Sequence, residues 1–213
     1  MRAKFQIISL VAAMMISVSA TGQMKSASTV LNSMVNVLKN NSIQTNFGLV
    51  VKEANSTKPT IMNGTFLMKG NKFAFNTKEM QVYFDGKTQW AYMPEINEVS
   101  ITNPTENELA ETNPLALLQA YTTKSTTKHI KNTSVKDAYT IELNPKDKTS
   151  DIKKIQVVIN KKTYFPRSIQ LVDKKGMIST LALTKFQKGV KTDDKTFIFD
   201  SSIYKDIEIN DLR

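Results

Sequence analysis

Residues 61–101 read IMNGTFLMKGNKFAFNTKEMQVYFDGKTQWAYMPEINEVSI. Five short runs in it alternate in character: Ile61 to Lys69, Lys72 to Asn76, Met80 to Phe84, Thr88 to Met93 and Glu98 to Ile101. Turn chemistry separates them. Lys69-Gly70-Asn71-Lys72 and Asp85-Gly86 are hairpin tips, because Gly and Asn accept the positive φ that tight hairpin turns require. Strands this short, with a turn about every 8–12 residues, predict an antiparallel meander. The pattern extends both ways. Upstream, Phe47, Leu49 and Val51 alternate in a stretch that begins at Ile43. Downstream, residues 137–144, 152–160, 164–172, 176–187 and 196–199 read as further strands. Tyr164-Phe165-Pro166-Arg167 and Asp173-Lys174-Lys175-Gly176 bracket hairpin partners there.

Two segments break the two-residue period. In residues 24–40, Val30, Leu31, Met34, Val35 and Leu38 fall on one helical stripe, with Ser26 or Ser28 as cap and Asn40-Asn41 as stop. In residues 102–121, Asn103-Pro104 and Asn113-Pro114 start turns, and Glu106 to Glu111 can make a short helical turn. Pro114 then opens an apolar helix on which Leu115, Leu118 and Tyr121 share a face. The expectation is a mainly β (α+β) fold of about eleven antiparallel strands, with one N-terminal helix and a short helical insert. A sheet that large must curl. If side chains do not fill it, it leaves a hollow apolar interior.

The N-terminus carries an export signal. Arg2 and Lys4 precede the apolar run Phe5 to Val18, which is too short to span a bilayer. Cleavage fits after Ala20 or after Gly22. Residues 1–22 are thus read as a signal peptide and 23–213 as one domain. A lipoprotein signal would need a cysteine, and the chain has none. The absence of Cys also excludes disulfides, thiol catalysis and thiolate metal sites.

The net charge is +10, and losing Arg2 and Lys4 leaves +8. An exported basic protein is poorly placed to meet nucleic acid. The charge suits either anionic lipid head groups or an acidic protein partner, or the lysines keep a sheet-rich surface soluble.

Catalytic chemistry is nearly absent. His129 is the single histidine and lies in a Lys/Thr-rich stretch without nearby carboxylates, which suits a solvated strand-edge position. Glu106, Glu108 and Glu111 cluster without paired-carboxylate geometry. No phosphate-loop, zincin or nucleophile-elbow motif occurs, so no enzyme, cofactor or metal is expected. The apolar content is richer. Met24, Met34, Met62, Met68, Met80, Met93 and Met177 join Phe47, Phe66, Phe73, Phe75, Phe84, Trp90, Tyr92 and Phe165 as either core or the adaptable lining of a ligand cavity.

The segments Gly64 to Phe75 and Val82 to Pro94, above all Asp85-Gly86-Lys87 to Trp90 with Tyr92-Met93-Pro94, resemble the periplasmic outer-membrane lipoprotein carrier family, LolA. Asn113 to Leu118 resembles that family's lid helix, and Lys185-Phe186-Gln187 with Phe197 to Phe199 its last strands. The resemblance implies a half-open antiparallel barrel lidded by helices. Its interior would take the acyl chains of lipoproteins released by an inner-membrane ABC-type extractor. The carrier, a monomer, would deliver them across the periplasm to an outer-membrane acceptor.

The acyl-facing residues expected on this reading are Phe47, Leu49, Phe66, Met68, Phe75, Trp90, Tyr92, Leu115 and Leu118. Their facing is conditional on register, because a one-residue slip exchanges the two faces of a strand. Lys69 stands where related carriers often place a lid-latching Arg, and reads either as a weaker latch or as a solvated lysine. The alternative function is a periplasmic sensor or regulatory module on the same fold. The missing N-terminal cysteine excludes a lipidated acceptor.

Overall fold

The computed structural model describes residues 24–105, 108–109, 113–131 and 134–213. The expected signal peptide therefore lies outside the described residues, as do Glu106 and Glu111. One sheet of 12 strands organises the chain. Its elements in order are α1 (Ala27–Lys39), β1 (Ser42–Lys52), β2 (Thr60–Lys69), β3 (Lys72–Thr77), β4 (Gln81–Phe84), β5 (Gln89–Met93) and β6 (Glu98–Thr102). There follow α2 (Pro114–Lys124), β7 (Ser125–His129), β8 (Ala138–Pro145), β9 (Ile152–Asn160), β10 (Pro166–Asp173), β11 (Ile178–Lys188) and β12 (Glu208–Asp211).

The spatial order is β12-β6-β5-β4-β3-β2-β1-β11-β10-β9-β8-β7. The sheet is open, since β12 and β7 are its free edges. All pairs are antiparallel except β12, which runs parallel to β6. The connection from β6 to β7 carries α2 from one edge region to the other. Both helices lie on the same face of the sheet, and the sheet curls around them.

Three differences from the sequence reading have local causes. Residues 196–199 are not a strand. Asp193 caps a 3₁₀ turn, Asp194–Phe197, by accepting from Thr196 N, and a second turn, Ser201–Ile203, follows. This segment crosses the outer face of the sheet before β12 joins the edge. The strand β7 has the sequence STTKH, with no apolar alternation to mark it. The strand β12 (EIND) is exposed along its whole length, so no burial pattern marks it either.

The helix α1 begins where the capping rule predicts, with Ser26 Oγ accepting from Thr29 N at 3.1 Å. Its Val30, Leu31, Met34 and Leu38 are fully buried against the sheet. The insert before α2 starts with a capping box. Thr105 N donates to Glu108 Oε2 at 2.7 Å, and this holds the Glu108 carboxyl below the usual range. The helix α2 itself is capped by Asn113 Oδ1, which accepts from Leu115 N and Ala116 N.

Candidate functional site

Register decides what faces the interior. Phe47 pairs with Gly64 across β1 and β2, Phe66 with Phe75 across β2 and β3, and Phe73 with Phe84 across β3 and β4. The inner face therefore carries an aromatic wall. Phe47 stacks on Phe75 with ring centroids 4.8 Å apart, Phe66 on Phe73 at 5.8 Å, and Phe73 meets Phe84 at 5.4 Å. The facing wall is aliphatic: Leu181, Leu183, Ile169, Val157, Ile155, Ile141 and Leu143.

Gly64 makes the aromatic wall possible. A Cβ there would lie 2.1 Å from the Asn76 carbonyl oxygen and 2.8 Å from the Phe47 ring. The ring occupies the space that any side chain at 64 would need.

Between the walls lie α1 and α2. Leu115 is 2% exposed and Leu118 fully buried. Between the walls is an apolar cavity of about 20 Å³, lined among the described residues by Phe47, Phe66, Phe75, Leu115, Leu181 and Leu183. Of the two outcomes the curled sheet allows, filled or hollow, the helices fill most of the interior, with Leu115 and Leu118 of α2 buried in it. A cleft of about 500 Å³ lies at the rim, between the β2–β3 and β4–β5 hairpin tips and the insert. Met68, Phe73 and Phe84 form its apolar floor, while Asn103, Pro104, Leu109, Asn113, Ala116 and Gln119 form the side contributed by the insert.

Of the nine residues read as acyl-facing, the structure brings seven together. Phe47, Phe66, Met68, Leu115 and Leu118 are buried in one cluster, with Leu49 and Phe75 packed against it. Trp90 and Tyr92 are not among them. Val82 pairs with Ala91, and Tyr83 with Trp90, so the inner face of β5 carries Gln89, Ala91 and Met93. Trp90 and Tyr92 point to the outer face, where the segment after β11 covers them. Tyr92 lies 5.3 Å from Phe199 and 4.4 Å from Tyr204, ring centre to ring centre. Size misleads here, because the largest side chains of β5 serve a second, outer cluster.

Among the described residues, Lys69 finds its partner away from the insert. Its Nζ donates to the Thr192 carbonyl at 3.4 Å, on the loop after β11. Beside it Lys72 pairs with Asp194 at 3.0 Å, and this keeps the Asp194 carboxyl below its usual range.

Leu181 and Leu183 line the cavity but were absent from the expected set. Their alternation in ISTLALTKFQK was the available signal. His129 sits on edge strand β7, its Nε2 2.8 Å from the Lys25 carbonyl oxygen. Among the described residues no group of three His, Cys, Asp or Glu could hold a metal, and no helix is long and apolar enough to cross a membrane. The side chains lining the cavity between the walls are all apolar among the described residues.

Comparison with known proteins agrees with this architecture. The family profile described as outer membrane lipoprotein carrier protein LolA matches residues 39–200. No curated protein matches the sequence. Among solved structures, an uncharacterized conserved protein from Thermus thermophilus is 12% identical, with a TM-score of 0.56 over 88% of this chain and 99% of its own. A LolA superfamily protein from Nitrosomonas europaea is 15% identical over 82% of this chain and 98% of its own, with a TM-score of 0.44. A putative outer membrane lipoprotein-sorting protein domain from Vibrio parahaemolyticus is 14% identical over 80% and 95%, with a TM-score of 0.43.

Proposed function

Because the chain belongs to the outer membrane lipoprotein carrier protein LolA family, we propose that its concave interior receives the acyl chains of lipoproteins and carries them through the periplasm. The reaction is transfer without chemistry. An inner-membrane ABC-type extractor supplies the lipoprotein and an outer-membrane acceptor removes it. The acyl-facing residues are Phe47, Leu49, Phe66, Met68, Phe75, Leu115 and Leu118, with Leu181 and Leu183 added from the opposite wall.

The observation that carries this reading is the wholly apolar cavity beneath α2. A cavity of about 20 Å³ holds no acyl chain, since ligand pockets run to ~300 Å³ and more. The chain enters only as α2 lifts and its leucines give up their places. The physical need is large. A chain of ~16 carbons left in water costs on the order of 12 kcal/mol, at ~0.8 kcal/mol per CH₂. A carrier must offset that cost reversibly, and a helix that can return does so.

The test is photo-crosslinking. A photo-reactive residue at Phe47 or Leu118 should label the acyl chains of a lipoprotein released into the soluble fraction, and one at Trp90 should not. Equal labelling at the three positions, or no soluble lipoprotein at all, would defeat the proposal.

A further inference from the structure

A second groove, of about 710 Å³, opens on the rim at the far side from the cleft. Three separate elements bring cations to it: Lys25 before α1, Lys131 after β7, and Lys161 in the β9–β10 turn. Bonds hold these elements together. Lys25 Nζ donates to the Tyr164 hydroxyl at 2.6 Å, and His129 Nε2 lies 2.8 Å from the Lys25 carbonyl oxygen. Lys161 N donates to the Asp137 carbonyl at 3.0 Å, and its Nζ lies 5.5 Å from the centre of the Tyr139 ring.

Among the described residues no acidic side chain lines the groove. Among the described residues no carboxylate forms an ion pair with Lys25, Lys131 or Lys161. The nearby Lys136 and Lys162 are exposed and add charge of the same sign. Asp137 is the one acid in these stretches and forms no ion pair among the described residues. Charge left unpaired over three elements points outward, to a partner.

We propose that this rim is a docking face for an anionic phospholipid bilayer, with lipid phosphates entering the Lys25–Lys131–Lys161 groove. Apolar and aromatic groups favour a bilayer over an acidic protein. Met24, 68% exposed, stands beside Lys25, and Ile130 lines the same groove. Tyr139 and Tyr164 present rings of the kind that settle at head-group depth. Those two rings also pack against the main apolar cluster. The face that meets the bilayer is thus continuous with the interior. Four or more lysines grouped at a surface suit anionic lipid, each worth about fivefold in partitioning.

Vesicle sedimentation of the full chain, purified as the cell processes it, tests the proposal. The vesicles are phosphatidylcholine alone or with a third phosphatidylglycerol. Binding should require phosphatidylglycerol and weaken as salt rises, because charges more than ~10 Å apart are screened at 0.1 M. Lys25→Gln/Lys131→Gln/Lys161→Gln should reduce it on the order of a hundredfold. Lys58→Gln/Lys148→Gln/Lys175→Gln, equal in charge change but at the opposite ends of the strands, should leave most of it.

Lys131→Glu alone should weaken binding without lowering the melting temperature, which guards against misfolding of the triple variant. Equal loss in both triple variants would mean that net charge alone is read, and would overturn the proposal. So would binding to polyglutamate but not to vesicles, which would make the rim a face for an acidic protein.

Discussion

Shortening Leu118 to Ala should strengthen cargo binding while it weakens the fold. In the closed protein Leu118 is fully buried between the aromatic and aliphatic walls. On the proposed function, the acyl chain and Leu118 compete for the same apolar volume. Removing three carbon groups forfeits about 2.4 kcal/mol of burial at ~0.8 kcal/mol each, and measured Leu→Ala costs run from about 2 to 5 kcal/mol. The closed, empty state bears that loss. The loaded state, with α2 displaced, bears less of it.

The apparent affinity for an acyl chain should therefore rise by as much as ~50-fold, since each 1.4 kcal/mol is about tenfold. The empty variant should melt ~5–10 °C lower. The assay is a titration of a fluorescent palmitoylated peptide into both proteins, beside thermal unfolding without ligand. Val99→Ala is the control. Val99 is buried in the outer cluster with Tyr92 and Phe199, so its loss should lower stability and leave affinity unchanged. If Leu118→Ala binds the peptide more weakly than the parent protein, α2 is a wall of the site and not a competitor for it, and the reasoning fails.

Gly64→Ala should cost roughly 2–4 kcal/mol in denaturant unfolding, because its Cβ meets the Asn76 carbonyl and the Phe47 ring, forcing β2 from β3 and breaking the Phe47–Phe75 stack. Glu142 is held to a pKa of about 2, chiefly by Lys128, whose Nζ lies 2.9 Å away, with Asn144 and Gln156 assisting. A depressed carboxylate stabilises the fold above its unfolded pKa, so this contribution is complete above about pH 5 and lost as pH falls towards 2. Glu142→Gln should therefore be less stable than the parent at pH 7 by about 1–2 kcal/mol and equal to it near pH 2, measured by urea titration across pH. Lys69→Leu should speed hydrogen exchange in residues 189–193, where its carbonyl partner lies, and leave 113–124 unchanged; faster exchange in 113–124 would restore it as a latch on the insert.

The alternation in residues 61–101 exposed the meander, and the stripe at Val30, Leu31, Met34 and Leu38 exposed α1. Both signals arise because one face of each element is buried and the other is not. The signal fails where that asymmetry fails. Tyr83, Trp90 and Tyr92 alternate with Val82, Phe84 and Ala91, but both faces of β4 and β5 are covered, the inner by the helices and the outer by Phe199 and Tyr204. Periodicity then gives the strand and not its facing. Trp90 and Tyr92 read as inward only for one register of β5, and the pairing of Val82 with Ala91 sets the other. The edges failed for the opposite reason. STTKH and EIND bury little on either face, so neither had a pattern to read. The partner of Lys69 was out of reach as well, because the loop after β11 comes 123 residues later in the chain.

The closing of the interior sets a threshold on what can open it. The helix α2 has 11 residues, below the ~12–15 at which isolated helices hold in water. Packing supports it, so on the proposed function it is the unit that yields. It runs into β7 at Ser125 without an intervening residue, and a short bond joins the Tyr121 hydroxyl to Ser150 Oγ at 3.0 Å. These ties hold the Ser125 end, so on the proposed function α2 would lift from its Asn113 end. Lifting Leu115 and Leu118 out of the core costs about 3–6 kcal/mol, at ~1.5–3 kcal/mol each. That equals the gain from burying about 4–8 CH₂ groups. A chain of six carbons should barely open the site, whereas one of 16 should open it with several kcal/mol to spare. Affinity measured along a series of acylated peptides should stay low up to about eight carbons and climb with each further CH₂. A steady climb from the shortest chain would mean that the interior is open at rest, and α2 would not be its lid.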